Sequence, residues 1–228
     1  FEFCGSGVVG CYLYLTCELP SKINDIETTG LDTDSCEIIE RYMYDMSLND
    51  VFSEGLIKPR TRIPYHICCI TGITNDMVYD KENIINFKRE LINKLKYYDK
   101  PVFIAHNGNN YDHKILKRFN FIDNNNSIFL DSRNIIHTHL KINTHKLDLS
   151  HIYKLFFNED IRAHRAKEDT DMLLSIFNKI NINCEHIINN IVPNIKLKEN
   201  KIILSIINGR SRHHSEDKSR WYLPSSIL

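Results

Sequence analysis

Two carboxylates stand two residues apart in "NDIETTGL", residues 24 to 31: Asp25 and Glu27, closed by Thr28, Thr29 and Gly30. In an extended strand, residues two apart point to the same side, so both acids would project together. Carboxylates on one face repel unless a cation sits between them, and hard oxygen donors suit magnesium or manganese. The alternative is a polar strand end facing water, and the pair by itself does not choose between them.

Two further segments carry acids in informative places. In "AHNGNNYDHKIL", residues 105 to 116, an apolar run enters a polar turn and Asp112 opens a helix. Taken alone, Asp112 reads as a helix cap, because aspartate there accepts a backbone N–H. In "AHRAKEDTDMLLSIF", residues 163 to 177, Asp169 falls on the same helical stripe as Leu173, Ile176, Phe177 and Ile180. An acid on a buried stripe is costly unless it is paired or binds a metal. Asp171 points elsewhere and reads as surface charge. His164, five residues before Asp169, sits where a loop can bring it over the same site; among eleven histidines, only this company distinguishes it. Arg162, Arg165 and Lys167 flank it and can meet a phosphate backbone or simply form a solvated face.

Alternating strands and helices must position these groups. "SKINDIET" reads as the end of a strand and "CEIIERYMYDM" as a second strand of alternating exposure. "KENIINFKRELINKLKYY" reads as a helix with Ile84, Phe87, Leu91 and Leu95 on one stripe. "PVFIAH" has the short apolar run of a buried strand. "YDHKILKRF" follows as a helix, "SIFLDS" as a strand, and "HKLDLSHIYKLFF" and "EDTDMLLSIFNKI" as helices. The economical architecture is one α/β domain over residues 21–182, a central mixed sheet flanked by helices. Residues 1–20 form an extension of unassigned role, 183–208 a helical extension packed on the domain, and 209–228 a tail of mixed charge and little periodicity.

Composition narrows the partners without choosing one. The 228 residues suffice for one substantial domain. Lysine plus arginine equal aspartate plus glutamate at 29 each, so a nucleic-acid partner would be held by local charge or metal ions rather than a bulk basic field. Seven cysteines without a CxxC pair fit reduced core thiols. They point to an intracellular compartment, cytoplasmic or nuclear. No run approaches the roughly 18 to 20 apolar residues that cross a bilayer, so no membrane partner is expected. "VVGCYLYL" is short for a signal sequence and lacks a basic lead. Neither the cysteines nor His213 and His214 have zinc-ligand spacing.

Taken together, "DIETTGL", "AHNGNNYD" and "HRAKEDTD" resemble the three motifs of the DEDDh (DnaQ-like) 3′–5′ exonucleases, with Asp25, Glu27, Asp112, His164 and Asp169 in the family's order. Tyr111 before Asp112, "ITGIT" at 70 to 74 and "HKLDLSHIYKLFF" are most similar to the three-prime repair exonucleases. The resemblance implies a ribonuclease H-like fold. It implies two magnesium ions, replaceable by manganese, held by Asp25, Glu27, Asp112 and Asp169. Two ions about 4 Å apart supply an activated water, transition-state charge and help for the departing 3′ oxygen. The resemblance makes His164 the base that takes the water's proton, a task suited to an imidazole of ordinary pKa about 6.5. It gives Thr28, Thr29, Leu31 and Ile70 to the terminal nucleotides and lets Tyr111 position the scissile phosphate or pack into the core. The expected substrate is single-stranded DNA or a frayed duplex 3′ end, cut to nucleoside 5′-monophosphates. RNA, and a weakly active proofreading module of a polymerase, are the alternatives. A homodimer, as the repair enzymes form, is an open partner state for which the sequence shows no pairing edge.

Overall fold

The computed structural model of the protein describes residues 20–121, 127–141, 148–159, 161 and 164–191. Residues 1–19 of the extension expected over 1–20, the tail over 209–228 and Arg162 lie outside these residues; of 183–208, only the part up to Ile191 lies inside them.

Five strands form one mixed sheet, β1 (Ser21–Thr28), β2 (Ile38–Asp45), β3 (Asp50–Leu56), β4 (Val102–Ala105) and β5 (Ile128–Asp131), in the order β3-β2-β1-β4-β5. The β1–β2–β3 half is antiparallel, whereas β4 and β5 run parallel to β1. Helices cover both faces: α1 (Tyr65–Thr71), α2 (Asn75–Val78), α3 (Ile84–Leu95), α4 (Asp112–Arg118), α5 (Ser132–Leu140), α6 (Leu149–Phe157), α7 (Ala166–Lys179) and α8 (Cys184–Ile191). This is the mixed α/β, ribonuclease H-like architecture.

The period of two along β1 sorts its side chains between two cores. Ile23 packs with Ile135, Ile136, Ile152, Met172, Leu173, Ile176 and Phe177 of α5, α6 and α7. Ile26 packs on the other side with Phe87 and Leu91 of α3 and Ile115 and Leu116 of α4. Asp25 and Glu27 share the face of Ile23 and therefore look toward α7. The stripe expected for α3 is present, with Phe87 and Leu91 fully buried and Ile84 and Leu95 partly so. Each such fully buried side chain contributes about 1.5–3 kcal/mol. Asn83 starts that helix by accepting the Ile85 and Asn86 N–H groups.

Exposure in β2 does not alternate as its sequence suggested: every residue except Tyr44 is buried. The strand lies between β1 and β3 with helices over both faces, so its charged residues are buried with partners. Arg41 is held by Glu82 at 2.7 Å and Glu90 at 2.9 Å over the Phe87 ring. Asp45 pairs with the fully buried Lys22 at 2.7 Å and accepts the Tyr98 hydroxyl at 2.9 Å. The ammonium of Lys22 lies 3.7 Å from the Tyr98 ring centroid, which adds attraction from the ring face. Asp45→Ala leaves that ammonium buried and unpaired, so urea unfolding should register a loss of about 3–5 kcal/mol.

Candidate active site

The acids converge where β1 passes under the first turn of α7. One carboxylate oxygen from each of Asp25, Glu27 and Asp169 lies within 4.8 Å of the other two. Two come from alternate positions of one strand and the third from the buried stripe of a helix crossing it, as the two sequence periodicities require.

Asp112 stands beside this triad. It is buried and begins α4, but its carboxylate does not cap that helix, as the sequence alone suggested. Instead Oδ1 accepts the Ile26 N–H at 3.3 Å. The pairing of β4 with β1 ends at Ile23, so beyond it the β1 edge needs another acceptor, and Asp112 supplies one.

Crowded acids resist ionisation. Burial, and then the charges of Asp112, Asp169, Glu27 and Glu40, hold Asp25 well above the usual carboxylate range. Burial followed by the charges of Asp169, Glu40 and Asp112 raises Glu27 to about 8, with Arg165 opposing. Burial raises Asp112 to about 7 against the relief of its backbone hydrogen bonds, including that from Ile26. Asp169 rises to about 6 through burial, opposed by the backbone hydrogen bond and the charge of His164. The acids share one field, so protons leave the cluster in steps belonging to the group.

The donor set fits a hard divalent cation. Asp169 Oδ2 accepts the His164 N–H at 3.0 Å, whereas its buried Oδ1 has no hydrogen-bond partner. A cation beside that oxygen and the facing carboxylates would satisfy the one and relieve the repulsion of the others. A stability test follows from the signs. Carboxyls at about 4 in the unfolded chain and about 6 to 8 here bind protons better when folded. Their stabilising contribution is therefore complete below about pH 4 and is lost as pH rises through 6 to 8. Without metal, the melting temperature should fall across that window, and the rise caused by magnesium should grow with pH. An equal magnesium effect at pH 5.5 and 8.5 would show that these acids are not its ligands.

The turn after β1 is built from the next residues. The Tyr111 hydroxyl donates to the Gly30 carbonyl at 2.6 Å, the Thr28 hydroxyl reaches the same carbonyl at 2.7 Å, and the two hydroxyls touch. Burial keeps the Tyr111 phenol protonated far above neutral pH. Thr29 Oγ1 accepts the Glu37 N–H at 2.9 Å. Thr28, Thr29 and Tyr111 thus spend their hydroxyls on the turn, while Leu31 and Ile70, at 86% and 52% exposure, offer apolar surface to solvent.

The turn carrying Tyr111 and Asp112 is fixed from β5. Asp131 Oδ1 accepts N–H groups from Asn107 at 3.1 Å and Arg133 at 3.0 Å, tying that turn to the start of α5. Gly108 lies so close to the buried His113 that a β-carbon would come within 2.5 Å of its ring. The glycine is therefore required by close approach.

His164 is exposed and has φ of +90°, a left-handed conformation that side chains other than glycine adopt at a cost. Both cations that follow it have acidic partners, and that of Arg165 is buried, so Arg165 is already engaged. Arg165 grips Glu40 at 2.6 Å and Lys167 pairs with Asp171 at 2.5 Å. Glu40 and Asp131 escaped the sequence reading, because neither has an informative spacing to the other acids along the chain.

Fold and site together define an exonuclease domain. The exonuclease family represented by RNase T matches residues 23–177, and the chain belongs to that family. It is 34% identical over 149 residues to "Uncharacterized exonuclease R569" of Acanthamoeba polyphaga mimivirus, covering 64% of this chain and 46% of the relative. It is 31% identical over 159 residues to the PolC-type DNA polymerase III of Thermotoga petrophila, covering 67% of this chain and 11% of the polymerase. The chain thus spans less than half the length of either relative. Similar solved folds include E. coli exonuclease I in complex with single-stranded DNA (TM-score 0.56, 16% identity, 71% of this chain and 40% of that one). Exonuclease X in complex with 5′ overhanging duplex DNA is another (TM-score 0.50, 21% identity, 73% and 96%). Among the described residues no helix is long and apolar enough to cross a membrane.

Proposed function

We propose that this protein is a DEDDh-type 3′–5′ exonuclease that shortens DNA from its 3′ end and releases nucleoside 5′-monophosphates. The observation that carries this reading is the convergence of carboxylate oxygens from Asp25, Glu27 and Asp169 within 4.8 Å, in a chain of the exonuclease family. Asp25, Glu27 and Asp169 would hold two magnesium ions, or manganese, with Asp112 completing the set. When bound, the ions would supply charge for an activated water and for the departing 3′ oxygen.

The chain's own groups do the rest. The neutral imidazole of His164 takes the proton from the attacking water. Leu31 and Ile70 present apolar surface to the terminal bases, a sequence-tolerant mode of holding a strand. Tyr111, with its hydroxyl committed to Gly30 and Thr28, keeps the turn before Leu31 in place beside Asp112. Tyr111 ahead of Asp112 is also what supports a likeness to the three-prime repair exonucleases. The PolC-type relatives support a second reading, a proofreading module within a polymerase.

Incubating the purified chain in magnesium with 5′-labelled DNA and RNA of one sequence tests these readings. A ladder shrinking from the 3′ end, abolished by chelator, is the expected result for DNA. Faster shortening of RNA would move the substrate class, and an inert isolated chain would favour a module that works within a larger assembly.

A further inference from the structure

Glu40 is a fifth acid at this site, and its position is unfavourable by itself. It stands directly opposite Glu27 in the β1–β2 register and is buried. Directly opposed residues on paired strands share a face with Cβ atoms about 4.5–5.5 Å apart, and like charges there repel.

Its partners explain the placement. The Glu40 carboxylate receives Arg165 Nε at 3.0 and 3.1 Å and Nη2 at 2.6 Å, and accepts the Ala166 N–H at 2.9 Å. Ala166 is the first residue of α7, and Arg165, in the N-cap position, provides no side-chain cap of its own. The helix is therefore capped from another strand. The bidentate fork is the geometry that best combines charge with orientation. On the other side of the same short segment, Asp169 Oδ2 accepts the His164 N–H at 3.0 Å. His164, in its left-handed conformation, is thus joined to a backbone held between two carboxylates, one on β2 and one on α7.

We propose that Glu40, acting through Arg165 and Ala166, is a positioning residue that fixes His164 and the first turn of α7, and with it Asp169, against the acids of β1. It touches neither substrate nor metal in this role. The role rests on the exonuclease reading for its catalytic consequence, although the anchoring itself can be read without catalysis.

The test compares the parent, Glu40→Gln, Arg165→Gln and the double variant in saturating magnesium. The amide introduced by Glu40→Gln can still accept the Ala166 N–H but loses the charged fork, so the fold has a conservative replacement. Expected for Glu40→Gln are a fall in kcat of about 10–100-fold, the size of effect seen when a partner behind a reacting group is lost, with KM little changed. Hydrogen exchange should accelerate at the amides of residues 164, 166 and 169, while amides of β4 and α3 exchange as in the parent. The double variant should be no slower than the worse single one, because the two residues act as a unit. A kcat for Glu40→Gln within about twofold of the parent, or accelerated exchange spread evenly over the core, overturns the proposal. A parent that cuts neither DNA nor RNA but whose 164–169 amides still depend on Glu40 would count against the exonuclease reading of the isolated chain while upholding the anchor.

Discussion

Asp25→Asn should abolish magnesium-dependent shortening of DNA and, at pH 8, raise the melting temperature of the metal-free protein. The two effects have one cause. Burial of the Asp25 carboxyl comes first, and it also lies under the combined fields of Asp112, Asp169, Glu27 and Glu40, so its negative charge is costly unless a cation neutralises it. Asparagine removes that cost and keeps the shape, but withdraws a ligand from the set. The rate should drop by at least the roughly 10²–10³-fold that follows loss of one fixed electrostatic contact at a reacting centre. The sign of the stability effect depends on pH. A carboxyl raised on folding favours the native state below the unfolded value near 4 and loses that contribution as pH rises. The gain from asparagine should therefore be large at pH 8 and shrink toward pH 5. Thermal melts of both proteins at the two pH values, with and without magnesium, check this. A variant that melts lower than the parent at pH 8 without metal would mean that Asp25 contributes stabilising contacts instead of strain.

What could be read from the chain follows the reach of local rules. Asp25 and Glu27 are two apart on a strand, and Asp169 shares a stripe with Leu173, Ile176 and Phe177. Both facts depend only on strand and helix periods, and the structure places the three acids together. Asp112 has no such local signature. Its carboxylate turns away from its own helix because the edge of β1 is open beyond the end of β4, a circumstance set by strand lengths elsewhere. The burial of β2 was equally hidden: its Glu40, Arg41 and Asp45 look like an exposed pattern until Arg165, Glu82, Glu90 and Lys22 are brought from distant segments. Arg165 shows the same limit from the other side. Beside His164 in the sequence it resembles a phosphate contact, and only the fold, which sets β2 against the start of α7, shows that Glu40 already holds it.

Replacing His164 by glutamine should lower the rate about 10²–10⁴-fold, the usual contribution of a positioned general base, without weakening magnesium binding. The separation is expected because the contact of this residue with the acids runs through its backbone: the His164 N–H donates to Asp169 Oδ2, and glutamine keeps that N–H. The magnesium-induced rise in melting temperature should therefore survive in the variant, although hydrolysis does not. Cost in the fold is also small, since the imidazole is exposed, and the left-handed backbone is held by Asp169 from within and by the Glu40–Arg165 pair from the next residue. The pH dependence gives the sharper reading. A base acts when neutral, so at saturating magnesium, where the carboxylates are already ionised, the parent's single-turnover rate should climb as pH passes through the range in which imidazoles lose their proton. The glutamine variant should lack that limb and depend only on hydroxide. A variant with an unchanged limb would assign the titration to the carboxylates around Glu27 and Asp112 and remove His164 from the proton transfer.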